Sequence, residues 1–372
     1  MSPAATLADV LPSALAALGV AGEPNVLGLE PAPRVVVLVI DGLGWNQLRA
    51  SAAEAPFLAT MDGHPLVAGF PTTTAASLGS LCVGVLPGAH GLVGYTTRFD
   101  GQTEPVNWLR WTTAYSHVDL LGELPPEMVQ PQPTVFERAE LAGVDVSVVL
   151  PAMFRGGGLT RAIQRGGTFV PVYTTADMVT AVVDAIDGPK PSLAYCYISD
   201  LDTVSHVRGC RSRAWRVQLA LIDHVMSMMA DRLPPDARLI VTADHGMVDV
   251  ADADKIDYDA EPVLSEGVEM IAGEARVRYV HVVPGELDAV RARWQRRLGD
   301  QTLVVSRAEA VEEGWFGPVV RADVAGRIGD LIAVATDPVA VVRSEAERRL
   351  ARLRGFHGAR TEDETLVPLL RR

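Results

Sequence analysis

RVVVLVIDGLG (34–44) is the stretch on which the reading of this chain turns. Six apolar residues, five of them β-branched, run uninterrupted into Asp41, with Gly42 and Gly44 behind it. A strand wet on one face alternates polar and apolar residues, whereas a strand covered on both faces need not. The stretch therefore predicts an interior strand of a parallel sheet. Similar runs lie at 145–150 (DVSVVL), 192–200 (SLAYCYISD), 237–246 (ARLIVTADHG) and 330–336 (DLIAVAT). Helical spacing fills 75–86, 134–142, 176–187, 212–232 and 285–298. The alternation predicts an α/β fold, a doubly wound, mostly parallel sheet sandwiched by helices. Residues 95–133 and 251–283 fit it less well and are expected to be small inserted cap segments within one domain spanning 1–372.

The composition bounds the function. With 372 residues, 48% hydrophobic and 21% charged, the chain is neither disordered nor fibrous. Its net charge of -13 makes it a poor non-specific partner for nucleic acid polymers or anionic membranes. Cys82, Cys196 and Cys210 form no CxxC pair, so no disulfide framework is expected and a reducing compartment is favoured. The N-terminal MSPAATLADVLPSALAALGV lacks a basic start and is interrupted by Asp9 and Pro12, so it does not read as a signal peptide. Nor is there an apolar run long enough to span a bilayer. The expectation is a cytoplasmic protein.

Ligands in open α/β sheets bind beyond the carboxyl ends of the strands. Several strands here lead to metal-binding side chains. Asp41 closes the first, Asp202 and His206 follow 192–200, and Asp244 and His245 follow 237–243. His357 stands in a late Gly-Phe-His-Gly segment. Asp and His without Cys suit zinc, manganese or iron(II). Six ligands divide into two sites of three, each with a position left open for substrate or nucleophile. Thr72, Thr73 and Thr74 precede a helical stretch. A helix start carries free N–H groups and attracts phosphate. A threonine there, touching a metal, could attack phosphorus.

In these motifs the chain resembles the nucleotide pyrophosphatase/phosphodiesterase family (type I phosphodiesterase) of the alkaline phosphatase superfamily. The resemblance rests on Val-Ile-Asp41-Gly, on Thr74 with Gly84 and Pro87-Gly-Ala-His90-Gly91 downstream, on Asp202-x-x-Ser-His206, on Asp244-His245-Gly-Met and on His357-Gly. It implies two divalent metal ions, with zinc first and manganese or iron as alternatives. Asp41, Thr74, Asp244 and His245 would hold one ion, and Asp202, His206 and His357 the other. Counting back from Gly84 selects Thr74 as the nucleophile, with Thr73 as the fallback. Two departures stand out. Tyr95 occupies the place of a phosphate-binding Asn, with Asn107 the nearest Asn after it, and Ser205 replaces a glycine before His206.

The implied activity is metal-dependent hydrolysis of small phosphodiesters or nucleotide pyrophosphates through a phospho-threonine intermediate. A phosphomonoesterase or phosphonate hydrolase is the alternative, and a non-catalytic metal-binding protein a weaker one. A sulfatase is disfavoured because no Cys-x-Pro-x-Arg segment occurs. The aromatics Tyr95, Phe99, Trp108, Trp111 and Tyr115 read either as a packed excursion or as a stacking wall for a flat leaving group. Arg155, Arg161 and Arg165 read either as a solvated loop or as a phosphate-gripping lid. On the functional readings Tyr95, Trp108, Trp111 and Arg161 contact substrate. Asp200 is expected either to support the ligands from behind or to cap a helix, and His90 to be structural.

Overall fold

The computed structural model describes residues 5–372. Eleven strands carry its two main sheets. They are β1 (Arg34–Ile40), β2 (Asp62–Val67), β3 (Asp145–Pro151), β4 (Thr168–Val172), β5 (Ser192–Ile198), β6 (Ala237–Thr242), β7 (Val268–Glu274), β8 (Val277–Val282), β9 (Thr302–Ser306), β10 (Leu331–Ala335) and β11 (Leu366–Arg371). The larger sheet has seven strands in the order β2-β11-β6-β1-β5-β3-β4. Its five strands β6, β1, β5, β3 and β4 run parallel, and β11 and β2 are antiparallel additions at one side. Val35 to Ile40 have no exposed surface, as the unbroken apolar run required. In register, Ile40 pairs with Ile198, and Val39 with Thr242. The carboxyl ends of β1, β5 and β6 therefore finish side by side.

The principal helices are α1 (Thr74–Val83), α2 (Val135–Leu141), α3 (Thr175–Ile186), α4 (Asp200–Arg208), α5 (Arg213–Ala230) and α6 (Leu287–Leu298). Each falls on a stretch with helical spacing except α4, which follows β5 directly. No helix among the described residues is long and apolar enough to cross a membrane.

The expectation for 330–336 is corrected. This run is not in the parallel sheet; as β10 it pairs antiparallel with β8 and β9 in a second sheet of order β7-β8-β10-β9. Both faces of that sheet are covered. Ile332 and Val334 face a core with Phe70, Trp315 and Phe316, while Leu331 and Ala333 face one with Val290, Trp294 and Leu298 of α6. A doubly covered antiparallel strand thus carries the same apolar signature as a parallel one. The stretch 251–283 is likewise more than a small cap, since its end supplies β7 and β8 of this layer. β11 carries Pro368, opposite Pro65 of β2, and proline removes a ladder donor that a strand reading counts on.

Candidate active site

Asp41 follows β1, and its N–H bonds the Ile198 carbonyl at 2.9 Å. Gly42 has φ +76°, and a Cβ there would stand 3.1 Å from the Cα of Asp202. A glycine lets the start of α4 come this close. The Gly42 N–H donates to Asp244 Oδ1 at 3.2 Å, which ties the end of β1 to the turn after β6. On α4, Asp202 and His206 share a face, with His206 Nε2 3.3 Å from Asp202 Oδ1. Thr73 stands at the N-cap of α1 but its side chain makes no cap hydrogen bond. Thr74 is the first helical residue, and its hydroxyl lies 3.2 Å from His245 Nε2.

The three histidines are oriented in one way. Nδ1 of His206 donates to the Gly355 carbonyl at 2.8 Å, Nδ1 of His245 to Gly246 at 3.0 Å, and Nδ1 of His357 to Thr72 at 2.8 Å. A backbone acceptor on Nδ1 fixes the tautomer and leaves the Nε2 lone pair free as a ligand. The His245 and His357 rings stack with centroids 3.6 Å apart. Nε2 of His245 lies 3.4 Å from Asp41 Oδ1 and 3.5 Å from Asp244 Oδ2.

Charge in this space is unbalanced. Asp41 Oδ1, Asp202 Oδ1 and Asp244 Oδ2 are buried and have no hydrogen-bond donor. Such orphaned oxygens are costly unless a cation meets them. Burial, then the carboxylates of Asp244 and Asp202, push the Asp41 carboxyl well above its usual range. Burial also raises Asp202, against the pull of His206 and His245. His357 is held far below the ordinary imidazole range by burial and by its two histidine neighbours, so it does not itself supply the missing charge. Divalent cations fit this donor set. Asp202, His206 and His357 form one group with ligand atoms within 4.8 Å of one another; Asp41, Asp202 and His245 form a second. Asp202 thus reaches both groups, where the expected division gave it to one.

A family model for "Type I phosphodiesterase / nucleotide pyrophosphatase" matches residues 35–360. The chain belongs to this family. It is an enzyme of the phosphodiesterase / nucleotide pyrophosphatase kind. The fold is similar to that of murine ectonucleotide pyrophosphatase / phosphodiesterase 5, at 17% identity and TM-score 0.69 over 90% of this chain and 87% of that one. The human counterpart gives 18% and 0.69 over the same shares, 90% and 87%. Phosphonoacetate hydrolase from Sinorhizobium meliloti 1021, in complex with phosphonoacetate, gives 20% and 0.67 over 92% of this chain and 90% of that one. None of the curated protein sequences matches the chain.

Away from the cluster, this phosphodiesterase departs from several expectations. Trp108 and Trp111 are corrected: both have no exposed surface, and their indole N–H groups are spent on Thr97 Oγ1 and the Leu124 carbonyl. They pack edge to face at 4.9 Å inside the main core, so neither offers a face to substrate. Arg161 is paired through two hydrogen bonds with Glu127, and Arg165 bonds the carbonyls of Gln130, Gln132 and Ala162. Arg155 lies over Phe169. Arg161 and Arg165 are thus engaged with protein partners, and Arg155 rests on a ring. Tyr95 is half-buried and neighbours Asn107 and Glu274. Asn107 Oδ1 accepts from the N–H groups of Leu109 and Arg110, a local turn cap.

Asp200 is exposed in the first turn of α4 and receives the Thr175 hydroxyl. Ser205 turns its hydroxyl onto the Leu201 carbonyl, which accommodates it within α4. His90 is fully buried; it faces Ser80 Oγ and accepts the Leu92 N–H. Sequence reading missed Tyr197, whose phenol donates to Asp41 Oδ2, because it sits in the apolar run of β5. It also missed Glu274, at the end of β7, whose Oε2 lies 3.6 Å from His357 Nδ1.

Proposed function

We propose that the chain is a metal-dependent hydrolase of small phosphodiesters or nucleotide pyrophosphates, with Thr74 as nucleophile. The supporting observation is the Thr74 hydroxyl, set at the start of α1 and 3.2 Å from His245 Nε2, beside the orphaned carboxylate oxygens. Asp41, Thr74, Asp244 and His245 would hold one cation, and Asp202, His206 and His357 the other. Zinc suits these donors best, with manganese and iron(II) also compatible. When bound, two such ions would neutralise the carboxylates, hold the threonine oxygen ionised and stabilise the charge of the leaving oxygen.

The chain's own residues supply the rest. Thr74 Oγ forms a bond to phosphorus as the bond to the leaving oxygen breaks, giving a phospho-threonine and an alcohol or nucleotide fragment. The first turn of α1, with no side chain capping it, offers N–H groups to the phosphoryl oxygens. Water then cleaves the Thr74 ester and returns the hydroxyl. The -13 net charge disfavours polyanionic polymers and leaves small substrates.

A phosphomonoesterase or phosphonate hydrolase would use the same cluster, so the cluster cannot choose among them. Rates on bis(p-nitrophenyl) phosphate, p-nitrophenyl phosphate and phosphonoacetate decide. The diester is expected to be turned over fastest. Equal or faster turnover of either other substrate would overturn the diesterase assignment.

A further inference from the structure

Glu364 is buried without exposed surface on a four-residue helix, seven residues past His357. Its carboxylate makes four bonds. Oε1 accepts the Ala359 N–H at 3.0 Å and Arg276 Nε at 3.1 Å. Oε2 accepts Arg276 Nη2 at 2.7 Å and the Thr361 hydroxyl at 2.6 Å. The backbone carbonyl of Glu364 receives the Gly246 N–H at 2.9 Å, next to His245. Arg276 comes from the β7–β8 turn of the second sheet, and its Nη1 bonds the carbonyls of Asp337 and Val339.

The loop that Glu364 holds is bonded directly to the nucleophile segment. The Thr72 hydroxyl donates to the Ala359 carbonyl at 2.8 Å and accepts the Gly358 N–H at 3.0 Å. The Thr72 carbonyl is the acceptor that orients His357. Close packing leaves this unit little slack. A Cβ on Gly246 would stand 2.0 Å from the Asp363 carbonyl oxygen, and one on Gly358 would stand 2.8 Å from Glu274. One carboxylate thus meets the His357 loop through its side chain and the His245 turn through its main chain.

We propose that Glu364, held by Arg276, is a positioning residue that sets His357 and His245 relative to each other and to Thr74. It touches no substrate. It acts through the backbone of Gly246, Gly358 and Ala359. A buried ion pair adds little net stability over well-packed neutral side chains, so fold stability is a weak reason for one here. The inference rests on the metal-site reading above.

The test compares Glu364→Gln, Arg276→Met and the double variant with wild type. Its readouts are melting temperature, the rate of metal loss to a chelator and the visible spectrum of the cobalt(II)-substituted protein. Each single change leaves a buried charge unpaired and lowers the melting temperature, and the double variant recovers much of that loss. Metal loss is expected to be at least about tenfold faster in all three, with an altered cobalt spectrum, because supporting contacts of metal ligands act on this scale. A double variant that regains wild-type metal retention and spectrum would overturn the positioning role, as would single variants that hold metal like wild type. Should a single variant fail to fold, the double variant and Thr361→Val carry the same comparison. A wild-type protein that binds no metal overturns the metal-site reading itself, which separates that failure from this one.

Discussion

Thr74 shows how a side chain's chemistry depends on atoms that sequence spacing cannot place. Three threonines stand in a row, yet they differ. Thr72 bridges Gly358 and Ala359, Thr73 stands at the N-cap and Thr74 faces His245 Nε2. Thr74→Ala is expected to lower kcat by roughly 10³-fold or more. Acid-quenched protein should carry phosphate on Thr74 in wild type and none in the variant; a phosphorylated variant would move the nucleophile elsewhere. His90 gives a prediction of a different kind. Burial holds its imidazole down at about 3, against an ordinary 6.5, so the folded state keeps it neutral. The unfolded chain takes up that proton first, and the stability it contributes is present above pH 6.5 and lost as pH falls toward 3. Below pH 6.5 the unfolding free energy should therefore fall with pH, by up to about 1.4 kcal/mol per unit from this group. Denaturant titrations of His90→Gln should show a shallower decline, and an equal slope would remove His90 as its source. The ligand types were legible because few residues bind metal. The common tautomer was not, because the acceptors of His206 and His357 lie 149 and 285 residues away.

Elements were legible where their apolar spacing had one explanation. β1, β3, β5 and β6 and the helices α1, α2, α3 and α5 had one. β10 had two, because a sheet with a core on each face erases the alternation that marks antiparallel strands. The density of aromatics in 95–115 was legible too, but not its direction. Trp108 and Trp111 turn into the core, and a Cβ on Gly158 would stand 2.2 Å from the Trp111 ring. α1 carries a sharper test. Gly79 lies mid-helix, where alanine is ordinarily better by about 1 kcal/mol. A Cβ there would come within 2.6 Å of the His90 ring, which is buried and fixed on both sides. Gly79→Ala is therefore expected to destabilise the protein by about 1–3 kcal/mol, read as a lower melting temperature. A rise would mean that the His90 ring can move aside.

At the scale of the molecule, two sheets meet at one site, and the charge there belongs to the assembly rather than to any segment. Orphaned carboxylate oxygens of Asp41, Asp202, Asp244 and Glu274 gather there. Stripping metal with a chelator should lower the melting temperature by several degrees, and excess zinc or manganese should restore it, because a ligand that binds only the folded state stabilises it. A melting temperature indifferent to both would argue against a metal centre. The sequence by itself determined the parallel core, the order of its strand-end carboxylates and histidines, and the threonine segment that precedes α1. Those follow from local hydrophobic period and from the few residue types that can ligate metal. Only the tertiary structure decided that 330–336 joins a second sheet, that Trp108 and Trp111 are interior, and that Arg276 meets Glu364 across 88 residues of chain. Burial, direction and partnership between distant residues are fixed by packing in three dimensions, and one-dimensional spacing carries no record of them.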